Sequence, residues 1–247
     1  MKKPWNAIPI NECGEKLVHL QNIFTCFEPH PYLSLGAPYS DPSDPWKIRS
    51  GVFSRLSLAQ EYLQLDEPKL CLGIFDAWRP IPVQAFMVDY SINYQCTKRG
   101  LDRNDPFQKL AVDTVIQEVG KYWAAPSNNP AIPPPHSTGA AIDLTLADLN
   151  GVPLDMGGEI DEIGSVSTPS FFREAAKNDQ TSHKFHIRRL LLAHAMLKAG
   201  FVQHPNEWWH FSYGDQLWAW KSDSRKAIYG TCNPSESSFD TAASPRH

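Results

Sequence analysis

Two polar clusters that lie far apart in the chain restrict its possible folds, because their side chains complement each other only if the fold places them side by side. The first cluster is His136-Ser-Thr-Gly-Ala-Ala-Ile-Asp143, and the second is Glu207-Trp-Trp-His210. Two imidazoles and one carboxylate are the ligand set of an open catalytic zinc site, which keeps its fourth position for water. The remaining carboxylate, Glu207, can act as a base on that water. The pattern predicts a metallohydrolase with zinc on His136, Asp143 and His210.

The sequence around the first cluster favours a metal ligand at each end of it. In the segment 141–146, apolar residues alternate with Asp143 and Thr145, which is typical of a β-strand. An aspartate in mid-strand is unfavourable unless it has a partner, and a metal ion is a suitable one. Five prolines between residues 124 and 135 predict a stiff, extended loop that ends at His136. A surface linker is the alternative interpretation of that loop.

The second cluster predicts where Glu207 lies relative to the strand. Residues three apart share a face in a helix but point to opposite faces of a regular strand. Pro205 and the aromatic run argue against a helix. We therefore expect Glu207 on a turn or bulge that enters the strand. Trp208 and Trp209 are expected to be core and pocket wall.

A further histidine pair, His183 and His186, has the spacing H-x-x-H and could also bind metal. Lys184, Arg188 and Arg189 surround the pair at a predicted helix start. These neighbours favour histidines that are solvated or support other residues rather than metal ligands.

Two further segments extend the pattern beyond the two clusters. They are Phe75-Asp-Ala-Trp-Arg79-Pro80 and Met156-Gly157. Together with the clusters, they resemble the zinc D-alanyl-D-alanine dipeptidases of the VanX type over roughly residues 15 to 220. The resemblance implies an α+β fold in one domain, with helices flanking a central antiparallel sheet, as in zinc D-Ala-D-Ala peptidases and hedgehog-like proteins. This chain has Pro134 where the family has serine, and it lacks the phenylalanine that usually precedes the position of Asp161.

The resemblance also implies the reaction and the roles of individual residues. It implies one zinc ion per chain, Glu207 as the proton-transfer group, and hydrolysis of the dipeptide D-alanyl-D-alanine to two D-alanines. Arg79 would stabilise the oxyanion, and Asp161 would hold the ammonium group of the substrate in a closed cavity. Two alternatives remain open from the residues alone. Arg79 could merely pair with a nearby acid such as Asp76, and Asp161 could merely cap a turn after Gly157-Gly158.

Two alternative functions fit the same motifs. A D,D- or L,D-carboxypeptidase of the same zinc group, acting on peptidoglycan stem peptides, would require an open cleft and export from the cytosol. The first residues lack the apolar core of a signal peptide, which speaks against export. A binding or signalling protein could keep the zinc fold without turnover. Glu207 argues against that class, because a binding module has no need of a base beside the metal.

Composition limits the domain organisation and the classes of partner. The 247 residues, 42% of them hydrophobic, suit one domain over residues 1–232, with the motif core at about 70–220 and a disordered tail at 233–247. A net charge of −4 does not indicate the basic surface that nucleic-acid binding requires. No apolar segment is long enough to predict a membrane-spanning helix. Five cysteines without a C-x-x-C pair predict reduced thiols and a cytoplasmic location. The oligomeric state stays open.

Apolar periodicity predicts the remaining elements. Helices are expected at 52–65 and at about 82–97, 107–122 and 182–198, strands at 70–76 and 141–146, a strand or hairpin at 201–213, and an irregular wrap with short strands over 1–50.

Overall fold

The computed structural model describes residues 3–232, which form seven β-strands and six α-helices. The strands are β1 (Leu17–His19), β2 (Thr25–Cys26), β3 (Lys47–Arg49), β4 (Leu70–Asp76), β5 (Ala141–Asp148), β6 (Val202–Gln203) and β7 (His210–Ser212). The helices are α1 (Pro31–Ser34), α2 (Ser50–Asp66), α3 (Ile81–Lys98), α4 (Lys109–Tyr122), α5 (Gln180–Lys198) and α6 (Gln216–Lys221). The predicted tail at 233–247 lies outside the described residues.

A five-stranded sheet in the order β2-β4-β5-β7-β6 organises the molecule. The pairs β4–β5, β5–β7 and β7–β6 are antiparallel, and only the edge pair β2–β4 is parallel. Strands β1 and β3 form a separate antiparallel pair. The α+β class is confirmed, and the predicted antiparallel sheet is correct apart from its parallel edge.

Strand β5 lies at the centre of the sheet and is buried on both faces. Every residue from Ala141 to Ala147 is buried. The apolar side chains Ile142, Leu144 and Leu146 belong to one large core cluster together with residues of α2 and α5. The alternate residue Asp143 is 2% exposed, so the fold buries a carboxylate in the middle of its central strand.

The register of the sheet brings three polar residues side by side. Ile74 of β4 pairs with Leu144, but Asp76 pairs with Asp143, so β4 has one extra residue, Phe75, at this point. Such a β-bulge re-aims the side chains that follow it. On the other side of β5, Asp143 pairs with His210 of β7. Asp76, Asp143 and His210 therefore lie on three adjacent strands.

The long helices follow the predicted boundaries to within a few residues. Helix α3 begins directly after Arg79-Pro80 and has Pro82 in its first turn, where the missing N–H has no intrahelical partner. Helix α5 ends at Lys198 and is followed by Gly200, whose φ of +93° is the left-handed conformation that a C-terminal cap requires. Helix α6 was not predicted. No helix within residues 3–232 is long and apolar enough to cross a membrane.

Candidate active site

Three separate elements deliver the residues of the predicted metal centre. His136 lies in a short 3-10 turn, Pro135–Thr138, at the end of the proline-rich loop. Asp143 is on β5, and His210 is the first residue of β7. One ligand atom from each of the three lies within 4.8 Å of the other two, and all three side chains are buried. The structure thus brings the three predicted ligands to one point.

Hydrogen bonds orient both imidazoles. The Nδ1 of His136 lies 2.7 Å from the carbonyl oxygen of Ala77, and a carbonyl can only accept, so this nitrogen carries the proton. Its Nε2 faces the other two residues, 3.2 Å from Oδ2 of Asp143 and 3.2 Å from Nδ1 of His210. The Nδ1 of His210 lies 3.0 Å from Oδ1 of Asp143. Nitrogen and carboxylate lone pairs converging in this way, with a carbonyl fixing one tautomer, fit a zinc ion.

The electrostatics of Asp143 agree with an anionic ligand. Burial opposes ionisation of this carboxyl, but His136 and His210 outweigh burial and hold its pKa well below the usual range. The group is therefore an ionised carboxylate at neutral pH. A buried charge needs a partner of opposite sign, and a divalent cation at this point supplies it.

Glu207 stands beside the cluster at the position predicted for it, after the turn at 205–206 and before β7. It is 5% exposed, and its Oε2 lies 3.6 Å from Nδ1 of His210. Its Oε1 lies 3.0 Å from Nδ1 of His204 without hydrogen-bond geometry, so this oxygen is a buried acceptor with no hydrogen-bond partner among residues 3–232. Burial raises the pKa of Glu207 to about 7, against the opposing charge of His210. A carboxyl that titrates near neutrality is suited to proton transfer.

Arg79 is buried in a network of hydrogen bonds beside the metal cluster. Its Nε and Nη2 donate to Oδ2 of Asp76 at 3.0 and 2.7 Å, and its Nη1 donates to Gln84 at 3.0 Å. Its Nη2 also lies 3.3 Å from Oδ2 of Asp143. The pairing with Asp76 is present, and the guanidinium nevertheless lines the same cavity as the metal cluster.

Asp161 is linked to the metal cluster through Tyr32 and Arg79. The hydroxyl of Tyr32 donates to Oδ2 of Asp161 at 2.6 Å and accepts from Nη2 of Arg79 at 3.2 Å. Burial, and then the charge of Asp143, raise the pKa of Asp161 to about 7. In the turn that follows Gly157-Gly158, it is the Oε2 of Glu162 that accepts from a backbone N–H, that of Glu159, at 3.1 Å. The side chain of Asp161 is thus not the cap of that turn.

These groups line one cavity of about 410 Å³. Its walls include Lys3, Trp5, Trp123 and Trp209 as well as the metal cluster and both carboxylates. This volume is at the small end of the roughly 300–1,000 Å³ range of ligand pockets. The burial of Trp209 and its place in the wall agree with the sequence-based expectation.

Sequence reasoning missed several residues of the site. Lys3 and Tyr32 lie in the segment expected to be an irregular wrap, and His204 was given no role. No motif singles them out, because their positions depend on contacts between distant segments. His183 and His186 are on α5, and within the described part of the chain they do not join the metal cluster.

The chain is similar to known proteins over most of its length. A family model, Peptidase_M15, described as D-ala-D-ala dipeptidase, matches residues 30–227. A D-alanyl-D-alanine dipeptidase of Synechocystis sp. is 45% identical over 231 residues, which is 90% of this chain and 92% of that protein. One of Escherichia coli (strain K12) is 44% identical over 79 residues, 31% of this chain and 36% of that protein. Among solved structures, the vancomycin resistance D,D-pentapeptidase VanY in complex with Zn(II) gives a TM-score of 0.43 at 13% identity, covering 89% of this chain and 90% of that chain.

Proposed function

The chain belongs to the D-ala-D-ala dipeptidase family, Peptidase_M15, and from this premise we propose how its residues hydrolyse D-alanyl-D-alanine. The family expected from the motifs is confirmed. The enzyme is a zinc-dependent peptidase that releases two molecules of D-alanine. Its zinc ligands are His136, Asp143 and His210. The observation that carries this function is that three buried ligands converge beside a buried carboxylate, Glu207, that has a free acceptor oxygen.

Glu207 moves the protons of the reaction. When bound, zinc supplies a Lewis acid that polarises water and the scissile carbonyl. Glu207 accepts a proton from the attacking water as the new C–O bond forms. It then gives that proton to the departing amine as the C–N bond breaks. Its raised pKa of about 7 allows the side chain both to accept and to donate a proton near neutral pH.

Arg79 stabilises the negative charge that develops on the carbonyl oxygen. Its hydrogen bonds to Asp76 and Gln84 hold the guanidinium in place before the substrate arrives. A cation that is already oriented requires no reorganisation during the reaction. Its Nη1 carries two N–H groups and donates to one acceptor, Gln84, so Arg79 can act on the oxyanion through its charge and through the remaining N–H.

Asp161 binds the ammonium group of the dipeptide. Its carboxylate lines the cavity and is held by Tyr32. Burial raises the pKa of the Asp161 carboxyl, and an incoming ammonium group favours its ionised form. An acylated amino end offers no such charge and leaves the carboxylate unpaired, so Asp161 selects against peptides that are blocked or extended at the amino end. The cysteine pattern, which predicts reduced thiols, supports a cytoplasmic reaction, and cell fractionation tests this location.

The test of this function is the release of D-alanine by purified protein from a panel of peptides. We expect hydrolysis of D-Ala-D-Ala, and little hydrolysis of L-Ala-L-Ala or N-acetyl-D-Ala-D-Ala. The variant Asp161→Ala should raise KM for the free dipeptide while its zinc content stays that of the wild type. Equal rates on the free and N-acetylated D-dipeptides would overturn the dipeptidase assignment and favour a carboxypeptidase.

A further inference from the structure

The segment that carries Lys3 is fixed against the rest of the molecule at the cavity. A 3-10 turn, Pro4–Ala7, follows Lys3 directly. Its Trp5 is buried, with its ring centroid 5.8 Å from that of His204 and 5.6 Å from that of Trp220. Lys3 and Trp5 both line the cavity that contains the metal cluster. Lys3 thus belongs to the wall of the active site although it is distant from every motif in sequence.

The ammonium group of Lys3 lies on the Glu207 side of the cavity. Its Nζ donates to the carbonyl oxygen of Lys121 at 2.9 Å. The side chain of Asn206, the residue before Glu207, donates to the same carbonyl at 3.4 Å. Burial lowers the pKa of Lys3, and the nearby charge of Glu207 raises it in return. The two side chains are therefore close enough to interact electrostatically.

Lys3 is a cation with hydrogen-bonding capacity to spare. Within residues 3–232, the lysine and arginine side chains that line the cavity are Lys3 and Arg79. The charge of Arg79 is already paired with two carboxylates, Asp76 at 2.7 Å and Asp143 at 3.3 Å, whereas Lys3 has no carboxylate within salt-bridge distance among residues 3–232. An ammonium has three N–H donors, and one of those on Lys3 is used by the Lys121 carbonyl. Lys3 is thus the cation available to a ligand.

The proposed reaction fixes which end of the substrate meets this cation. Glu207 protonates the departing amine, so the departing D-alanine lies on the Glu207 side. The departing D-alanine carries the terminal carboxylate of the dipeptide. Without a cation, this carboxylate would face the carboxyl group of Glu207, and like charges in a buried site repel. The ammonium end lies toward Asp161, which connects to the metal cluster through Tyr32 and Arg79.

We infer that Lys3 binds the terminal carboxylate of the dipeptide and so determines specificity for a free carboxyl end. The inference rests on the proposed function, because it takes the direction of the substrate from the role of Glu207. Asp161 and Lys3 both line the cavity, which therefore offers a counter-charge to each terminus of the dipeptide. Both termini must then be free and correctly spaced, which restricts the substrate to a dipeptide.

The experiment compares D-Ala-D-Ala with its amide, D-Ala-D-Ala-NH₂, as substrates of zinc-loaded wild type, Lys3→Gln and Lys3→Arg. Lys3→Gln should raise KM for the free acid by about tenfold or more, because one side of a partly desolvated charge pair is removed. Its kcat/KM on the amide should stay close to the wild-type value. Lys3→Arg should restore most of the preference for the free acid. Lys121→Gln is the matched control, since Lys121 contributes only its main-chain carbonyl, and it should behave as wild type.

Three outcomes separate the possibilities. Equal losses by Lys3→Gln on acid and amide would assign Lys3 a structural role and overturn the inference. No loss on either substrate would overturn it as well. Wild-type protein that releases no D-alanine from D-Ala-D-Ala would refute the proposed function itself, and the role of Lys3 would fall with it.

Discussion

At the scale of single residues, the site is a set of buried charges that depend on one another. Asp76, Arg79 and Asp143 are each less than 5% exposed, and Arg79 contacts both carboxylates. Removing one partner from such a network leaves an uncompensated charge in the interior, which costs more than the pair itself contributes. Arg79 therefore has a structural role beside the catalytic one proposed for it.

The variant Arg79→Ala tests this double role. We expect kcat to fall by about 10²–10³, because the cation near the developing oxyanion is lost. We also expect the free energy of unfolding to fall by about 3–5 kcal/mol, because Asp76 stays buried without its partner. Arg99→Ala is the control, since Arg99 pairs with Glu118 at the surface, and an exposed pair contributes at most about 1 kcal/mol. Denaturant unfolding and steady-state kinetics measure both effects, and equal stabilities of the two variants would contradict the account.

Much of the site could be predicted from the types of a few residues. The identities of His136, Asp143, Glu207 and His210 are enough to suggest a metal and a base, since few other functions need these groups at this spacing. The hydroxyl of Tyr32 could not be found in this way. Its contact with Asp161 joins residues far apart in the chain, and only the packed structure brings them within hydrogen-bonding distance.

At the scale of elements, local turns and bulges set the spacing of the site. The turn between His136 and Asp143 closes at Gly139, which has φ +69° and ψ 19°. This left-handed conformation is costly for a residue with a Cβ. The bulge at Phe75 similarly aligns Asp76 with Asp143. The boundaries of β4 followed from its apolar run, whereas the bulge did not, because a bulge is a property of strand pairing rather than of one strand's sequence.

The variant Gly139→Ala tests the importance of the turn. A Cβ at this position would lie 2.6 Å from Cδ2 of Leu17 and 3.3 Å from Cγ of Arg49, in addition to the strain of a positive φ. Gly100→Ala is a matched control, with a φ of +66° and nothing within 4 Å of the added Cβ. Both variants should lose about 1–2 kcal/mol of stability through backbone strain, and Gly139→Ala should lose more and bind zinc more weakly. Thermal unfolding and zinc titration provide the comparison, and identical behaviour of the two variants would show that the turn at Gly139 has no special role.

At the scale of the whole molecule, the cavity is assembled from segments spread over nearly the full described chain. Lys3, Arg79, Asp161 and Glu207 come from four different regions and meet around one volume. The motifs predicted the reaction centre, since each motif is short and carries its chemistry locally. They could not predict the wall contributed by Lys3 and Trp5, because that wall depends on how the first residues pack against Trp220 and His204. The size of the cavity is therefore a property of the complete fold.

The central claim is that three residues hold zinc while a fourth transfers the proton. Zinc content and D-alanine release should be measured on the same preparations of wild type, His210→Ala and Glu207→Gln. We predict about one zinc per chain with full turnover in wild type, and loss of both in His210→Ala. Glu207→Gln should keep its zinc and lose about 10²–10⁴ of kcat, because it removes proton transfer but no ligand. Full zinc occupancy in His210→Ala, or near wild-type turnover in Glu207→Gln, would contradict the claim.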